Sequence, residues 1–250
     1  MDKLTVDLNC DMGEGCGNDA ELMPLISSAN IACGYHAGDA ETMAQTVDLA
    51  LQHGVAIGAH PGYADRDNFG RSPMELPASE VYRLVLDQIT ILDRVAKTVG
   101  AVMRHVKPHG ALYNQAARAP ELAAAIADAV RDFDASLVLF GLSGSPYIAI
   151  AEERGLRVAS EVFADRTYQD DGSLTPRTRP DALITDTDAS LRQVMQMVRD
   201  KTVTSVSGKM IPIRADTICI HGDGANAVNF ASSISQMLAE NDIKIGAITP

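Results

Sequence analysis

Basic residues are scarce in this chain: 21 lysines and arginines stand against 33 aspartates and glutamates, a formal net charge of −12. Nonspecific binding to nucleic acid or to an anionic membrane needs a basic footprint, so neither is expected as a partner. Long apolar runs are missing too. No stretch approaches the roughly 18 residues of a spanning helix, and the opening MDKLTVDLN has neither a basic n-region nor an apolar h-region. A cytoplasmic protein is the expectation. Cysteine is limited to Cys10, Cys16, Cys33 and Cys219, with no CxxC spacing. This argues against a zinc knuckle or a disulfide framework and leaves free thiols, buried or at a pocket rim. Several signatures are also absent: GxxxxGK[ST], GxGxxG after a strand, GxSxG and HExxH. The commonest nucleotide, serine-hydrolase and metalloprotease designs therefore find no support.

What is present is polar chemistry at the ends of strand-like runs. Six times a short β-like apolar run ends in a glycine-containing patch of Asp, Glu, Asn, His or Lys, before helical periodicity begins. The patches are DLNCDMGE from Asp7, NIACGYHAGD from Asn30, IGAHPGY from Ile57, HVKPHGALY from His105, SEVFADRTY from Ser160 and ICIHGDGANA from Ile218. The β-like runs fall near residues 3–9, 29–33, 55–59, 102–107, 136–141, 156–162 and 217–221. Helical periodicity covers residues 42–53, stopping at Gly54, and 81–99, with Val81, Val85, Ile89, Leu92 and Ala96 on one stripe. Further helices are expected at Pro120, at Pro146 behind a Ser145 N-cap, at 190–199 behind Asp188, and at 225–240.

Strand and helix alternating at this spacing indicate an α/β fold with a largely parallel sheet, and 250 residues at 46% hydrophobic content suit a single domain spanning 1–250. The polar patches decide between an open sheet and a barrel. An open sheet concentrates its site at one switch point, whereas here nearly every strand end contributes, so a (β/α) barrel is favoured. Residues 63–77 and 167–181, rich in Asp, Arg, Pro and Gly, read as long loops over the pocket.

Within DLNCDMGE, period-two alternation puts Asp7 and Asn9 on the inner face, with Asp11 and Glu14 above them. The competing reading makes Asp11 and Glu14 caps of a short helix from about Asp19. His36, His60, His109 and His221 each follow a different apolar run, while His53 ends a helix and His105 lacks that context. With the carboxylates, the four histidines suit general acid–base work. A bound metal is the open alternative, with Asp7, His60 and His109 as candidate ligands. Lys107 suits an amide oxygen, a phosphate or a carboxylate, and a salt bridge to Asp7 or Glu161 would hold it in place.

The strings DLNCDMGEG, SSANIACGYHAGD, VAIGAHPGY with DRDNFGR, MRHVKPHGALYNQA, EVFADRTYQDDGSLTPR and ICIHGDG resemble, in order and over nearly the full chain, the LamB/YcsF family. The resemblance implies a distorted barrel of about seven strands, similar to the glycoside hydrolase/deacetylase superfamily. It also implies a function. With two partner subunits, PxpB and PxpC, the family cleaves 5-oxoproline (pyroglutamate) to L-glutamate, coupled to hydrolysis of ATP to ADP and phosphate, with Mg²⁺ carried by the ATP. On that reading Asp7, His60, Lys107, His109, Glu161 and Asp223 are the expected catalytic set. Asn9, Asp11, Glu14, Asn30, His36, Asp39, Arg71, Arg166 and His221 are the expected substrate-binding set. A metal-dependent amidohydrolase or carbohydrate deacetylase acting alone, and a noncatalytic ligand-binding subunit, are the competing functions.

Overall fold

The structure, a computed structural model, describes residues 4–222, 224 and 227–248. β1 (Thr5–Met12) leads through the short helix α1 (Asp19–Leu22) to β2 (Ser28–Ala32), and α2 (Ala40–His53) carries the chain to β3 (Ala56–His60). The long helix α3 (Ala78–Thr98) precedes β4 (Met103–Val106). Then α4 (Gly110–Ala116) and α5 (Pro120–Asp134) lead to β5 (Val138–Leu142), and α6 (Pro146–Glu153) to β6 (Arg157–Phe163). After α7 (Thr187–Met195) an antiparallel hairpin, β7 (Thr202–Thr204) and β8 (Met210–Pro212), intervenes before β9 (Thr217–Ile220), α8 (Ala227–Glu240) and β10 (Lys244–Ile245).

Strands β1 to β6 pair parallel in sequence order, and β9 pairs parallel with both β6 and β1. That last pairing closes a seven-stranded parallel barrel, and β10 adds outside it on β1. The outward residues of β1, Val6, Leu8, Cys10 and Met12, belong with Leu22, Met23 and Ile234 to the apolar layer between barrel and helices. The stripe Val81, Val85, Ile89, Leu92 and Ala96 of α3 is fully buried in the same layer. Among the described residues no helix is long and apolar enough to cross a membrane.

Local chemistry explains most element ends. Pro120 and Pro146 start α5 and α6, where the missing N–H costs nothing. Gly54 ends α2 in the left-handed region, as expected after His53. Helix α7 begins earlier than its periodicity suggests. Its cap is Asp186, accepting from Ala189 N at 2.8 Å, and Asp188 lies inside the first turn. Ser145 occupies the N-cap position of α6, but its hydroxyl donates to Leu142 O instead of accepting from the helix. Asn18, not Asp11 or Glu14, precedes α1. The start of the last helix expected at residues 225 and 226 lies outside the described residues.

The barrel interior departs most from an ordinary core. Asp7, Asn9, Asn30, His105 and Glu161 are all 1% exposed or less, where branched aliphatics commonly fill such barrels. Room for the His105 ring comes from Gly58 on the neighbouring strand, where an added Cβ would lie 2.1 Å from His105 Nε2.

Candidate functional site

Polar side chains stack in layers up the barrel. In the lowest, the Asp7 carboxylate accepts from Ser27 Oγ at 2.6 Å, Ser28 Oγ at 2.7 Å and the Thr217 hydroxyl. Burial raises its pKa, against the lowering effect of those three hydroxyls. Above it, Asn9 Nδ2 donates to Glu161 Oε1 at 3.0 Å and to Thr217 Oγ1 at 2.7 Å. Asn30 Nδ2 donates to Asn9 Oδ1 and Asp11 Oδ1, and His105 Nε2 donates to Asn30 Oδ1 at 2.9 Å. The His105 ring stacks on Phe140, and burial followed by nearby Lys107 pushes its pKa down to about 3.

The top layer centres on Lys107, 2% exposed. Its Nζ lies 2.8 Å from Asp11 Oδ1, 2.9 Å from Glu161 Oε1, 3.1 Å from Asn9 Oδ1 and 3.0 Å from Cys219 Sγ. Burial works against the ammonium charge, but Asp11, Cys219 and Glu161 hold its pKa well above the usual lysine value. Asp11 is the reciprocal case: burial would raise its carboxyl, and His60 and Lys107 hold it well below the usual range. Of the two expected salt-bridge partners, Glu161 is the one Lys107 meets. Asp7 lies a layer lower, occupied by its hydroxyls.

Beside the lysine, His36, His60 and His109 gather around Glu14. His36 Nε2 is 3.0 Å from Glu14 Oε1, and its ring stacks on His109 with centroids 3.9 Å apart and planes 3° from parallel. His60 Nδ1 donates to Lys107 O at 2.7 Å, and His109 Nε2 donates to Phe69 O at 2.8 Å. A carbonyl oxygen only accepts, so both tautomers are fixed. The remaining nitrogens, His60 Nε2 and His109 Nδ1, face each other at 2.9 Å. Burial, then the neighbouring histidines, pushes His109 well below its usual pKa; burial, then His60, pushes His36 down to about 3. Gly70, at φ +65°, carries the loop past these rings, where an added Cβ would lie 2.8 Å from His36 and 2.9 Å from His109.

The cavity above this floor measures about 710 Å³, within the roughly 300–1,000 Å³ of ordinary ligand pockets. Asp11, His60, Lys107 and His109 reach its floor, and Tyr113, Phe163 and His221 its wall. Arg71, Arg118 and Arg177 bring cationic side chains to the lining, a set suited to an anionic ligand. Both long loops contribute as expected: Arg71 and Pro73 from one, Leu174 to Thr178 from the other. Tyr113 lines the cavity with its hydroxyl buried beside Glu161, and burial followed by that carboxylate pushes the phenol pKa well above its usual value.

Not every candidate reaches this cavity. Asp7 lies beneath it, and Asp39 sits at the surface capping α2 by accepting from Thr42 N at 2.8 Å. Asn9 and Asn30 support the floor from within the barrel. Arg166 does border the cavity, but its guanidinium is committed to its own loop, donating to Thr175 O at 2.6 Å and Ala182 O at 3.3 Å. Asp223 lies outside the described residues. Sequence reasoning missed Asp165, which holds His221 Nδ1 at 2.8 Å, and Tyr113, Arg118 and Arg177. Asp165 was visible within SEVFADRTY, two residues past the strand end. Tyr113 stands at the end of HVKPHGALY, where no helix is expected from the sequence, and α4 is what turns it to the cavity.

Residues 6–250 match the LamB/YcsF family. A curated relative from Brevibacillus brevis, the A subunit of its 5-oxoprolinase, is 55% identical over 97% of this chain and 98% of its own length. The crystal structure of the lactam utilization protein from Thermus thermophilus superposes with a TM-score of 0.92 at 44% identity, covering 98% of this chain and 100% of that one. The peptidoglycan deacetylase PdaC from Bacillus subtilis, at 12% identity, TM-score 0.52, and coverage of 99% of this chain and 89% of its own, shares the barrel fold.

Proposed function

The chain belongs to the LamB/YcsF family, and from that premise we propose that it is the A subunit of a 5-oxoprolinase. It holds the lactam while ATP, brought with Mg²⁺, drives ring opening to L-glutamate, and it works together with the PxpB and PxpC subunits. The observation that carries this reading is the buried Lys107, paired with Asp11 and Glu161, at the floor of an arginine-lined cavity.

A lactam is a poor electrophile. Phosphorylation of its oxygen by ATP, with release of ADP, would activate the carbon to a first water. The C–N bond then opens as the ring nitrogen takes a proton, and a second water hydrolyses the resulting acyl phosphate to glutamate and phosphate. The residues fit those needs. The Lys107 ammonium, locked by two carboxylates, is a preorganised positive charge for the amide oxygen. The rim arginines suit the substrate carboxylate and phosphate oxygens. His221, held by Asp165 at the cavity wall, would carry the proton.

Reconstitution tests this directly. The chain is purified alone and with its partner subunits, and glutamate and ADP are measured from 5-oxoproline. The reading requires both products, in equal amounts, only when the partners are present. Amide cleavage by the chain alone without ATP would replace it with the amidohydrolase. Full activity of the partners without the chain would make it a noncatalytic accessory.

A further inference from the structure

We propose that the pocket floor contains a binding site for one divalent transition-metal ion, held by His60 Nε2, His109 Nδ1 and Glu14. The inference starts from the hydrogen bonds. His60 Nδ1 and His109 Nε2 have both spent their protons on backbone carbonyls, of Lys107 and Phe69. A neutral imidazole carries one N–H, so the two nitrogens that face each other at 2.9 Å are both lone pairs. Two lone pairs at that distance repel unless a cation lies between them. Carbonyl-held histidines of fixed tautomer are also the usual outer support of a metal ligand.

The spacing fits an ion. Bonds of about 2.05 Å give ligand–ligand edges of about 3.3 Å in a tetrahedron and about 2.9 Å in an octahedron. The three edges here are 2.9 Å between the two nitrogens, 3.3 Å from His109 Nδ1 to Glu14 Oε1 and 3.7 Å from His60 Nε2 to Glu14 Oε1. The rings of His60 and His109 stand at 85° to each other with centroids 4.8 Å apart, so the two rings do not stack. Asp11 Oδ2, 3.4 Å from His60 Nε2, stands by as a further oxygen on the cavity side.

His36 completes the cluster in another role. Its ring is parallel to His109 at 3.9 Å, so their lone pairs run side by side and cannot meet on one ion. It steadies Glu14 instead, through Nε2 at 3.0 Å. The other grouping of ligand atoms, Asp11, Cys219 and His221, is already claimed. The Lys107 ammonium sits between Asp11 and Cys219 at 2.8 and 3.0 Å and fills the place of a cation there. Two imidazoles and a carboxylate favour Zn²⁺ or a neighbouring first-row ion over Mg²⁺, which takes oxygen ligands. This proposal rests on the tautomers and distances alone and stands whether or not the substrate is 5-oxoproline.

The test uses the full chain stripped with a chelator, titrated calorimetrically with Zn²⁺ and followed by visible absorption with Co²⁺. One ion per chain is expected, with Co²⁺ bands of nitrogen–oxygen coordination. His109→Gln and Glu14→Gln should each weaken binding by ~100-fold or more. His53→Ala, at the exposed end of α2, should leave it unchanged. Circular dichroism and thermal melts establish that the variants fold; if one does not, the other and Co²⁺ absorption in the parent chain decide. Stoichiometric binding lost in the pocket variants supports the site. No binding at saturating Zn²⁺, thiolate-type Co²⁺ bands, or binding indifferent to both substitutions overturns it, and a shared proton would then bridge the two rings.

Discussion

Replacing Lys107 by methionine isolates the ion cluster in the barrel. The ammonium contacts Asp11, Glu161, Asn9 and Cys219 and is 2% exposed. Methionine fills much of its volume and takes away the charge, leaving two carboxylates buried without their cation. Removing one partner of a buried pair costs about 3–5 kcal/mol. For a chain of this size that is a fall in melting temperature of roughly 6–20 °C. The deficit should depend on pH. Without the lysine the buried Asp11 carboxyl loses a cation that opposes its burial, a loss that matters only where the carboxyl is ionised, so it is smallest below about pH 4 and grows towards neutrality. Adding Glu161→Gln removes one of the stranded charges and should restore ~1 kcal/mol or more, a coupling readable by urea denaturation of the four proteins in the cycle. A single-variant cost under ~1 kcal/mol, or a double variant less stable than Lys107→Met alone, refutes the view that these charges are mutually sustained.

His105, with its pKa depressed to about 3 from 6.5, binds its proton more readily when unfolded. It therefore contributes stability that is full above pH 6.5 and is lost as pH falls towards 3, by about 1.4 kcal/mol per unit; urea midpoints against pH should flatten in His105→Asn. Gly58→Ala drives a methyl into the His105 ring and should cost ~3 kcal/mol or more in the same unfolding assay, with relief when His105 is also shortened. Asp186→Ala removes the α7 cap and should cost ~1 kcal/mol, whereas Asp188→Ala should cost less.

Where the sequence was most legible, one physical signal dominated. Period-two alternation placed Asp7 and Asn9 inside β1, and three- and four-residue spacing gave the buried stripe of α3. Polar strand ends identified the cavity rim and its floor, Lys107, His60 and His109 included. Depth was harder to read. Asp7 and Asp11 are four residues apart on the same inward face, yet only Asp11 reaches the cavity, because position along a barrel axis depends on the register of neighbouring strands. His105 looked isolated because its partners, Asn30 and Gly58, come from strands distant in sequence. The β7–β8 hairpin is two short strands with an exposed Met210, too brief to show alternation. Asp39 was misleading for the opposite reason: a good N-cap aspartate and a good ligand aspartate look alike in sequence.

The barrel is sealed by a strand that arrives late. β9 inserts between β1 and β6 and brings Cys219 to a lysine 112 residues earlier. At ~5–20 residues per second on the ribosome, roughly 6–22 s separate the two residues. Throughout that interval the nascent chain has Asp11 and Lys107 already made, while the groove awaiting β9 is open to water. Asp11, Lys107 and Glu161 all precede β9, so the three charges can pair while still wet and be dried only when β9 closes the barrel.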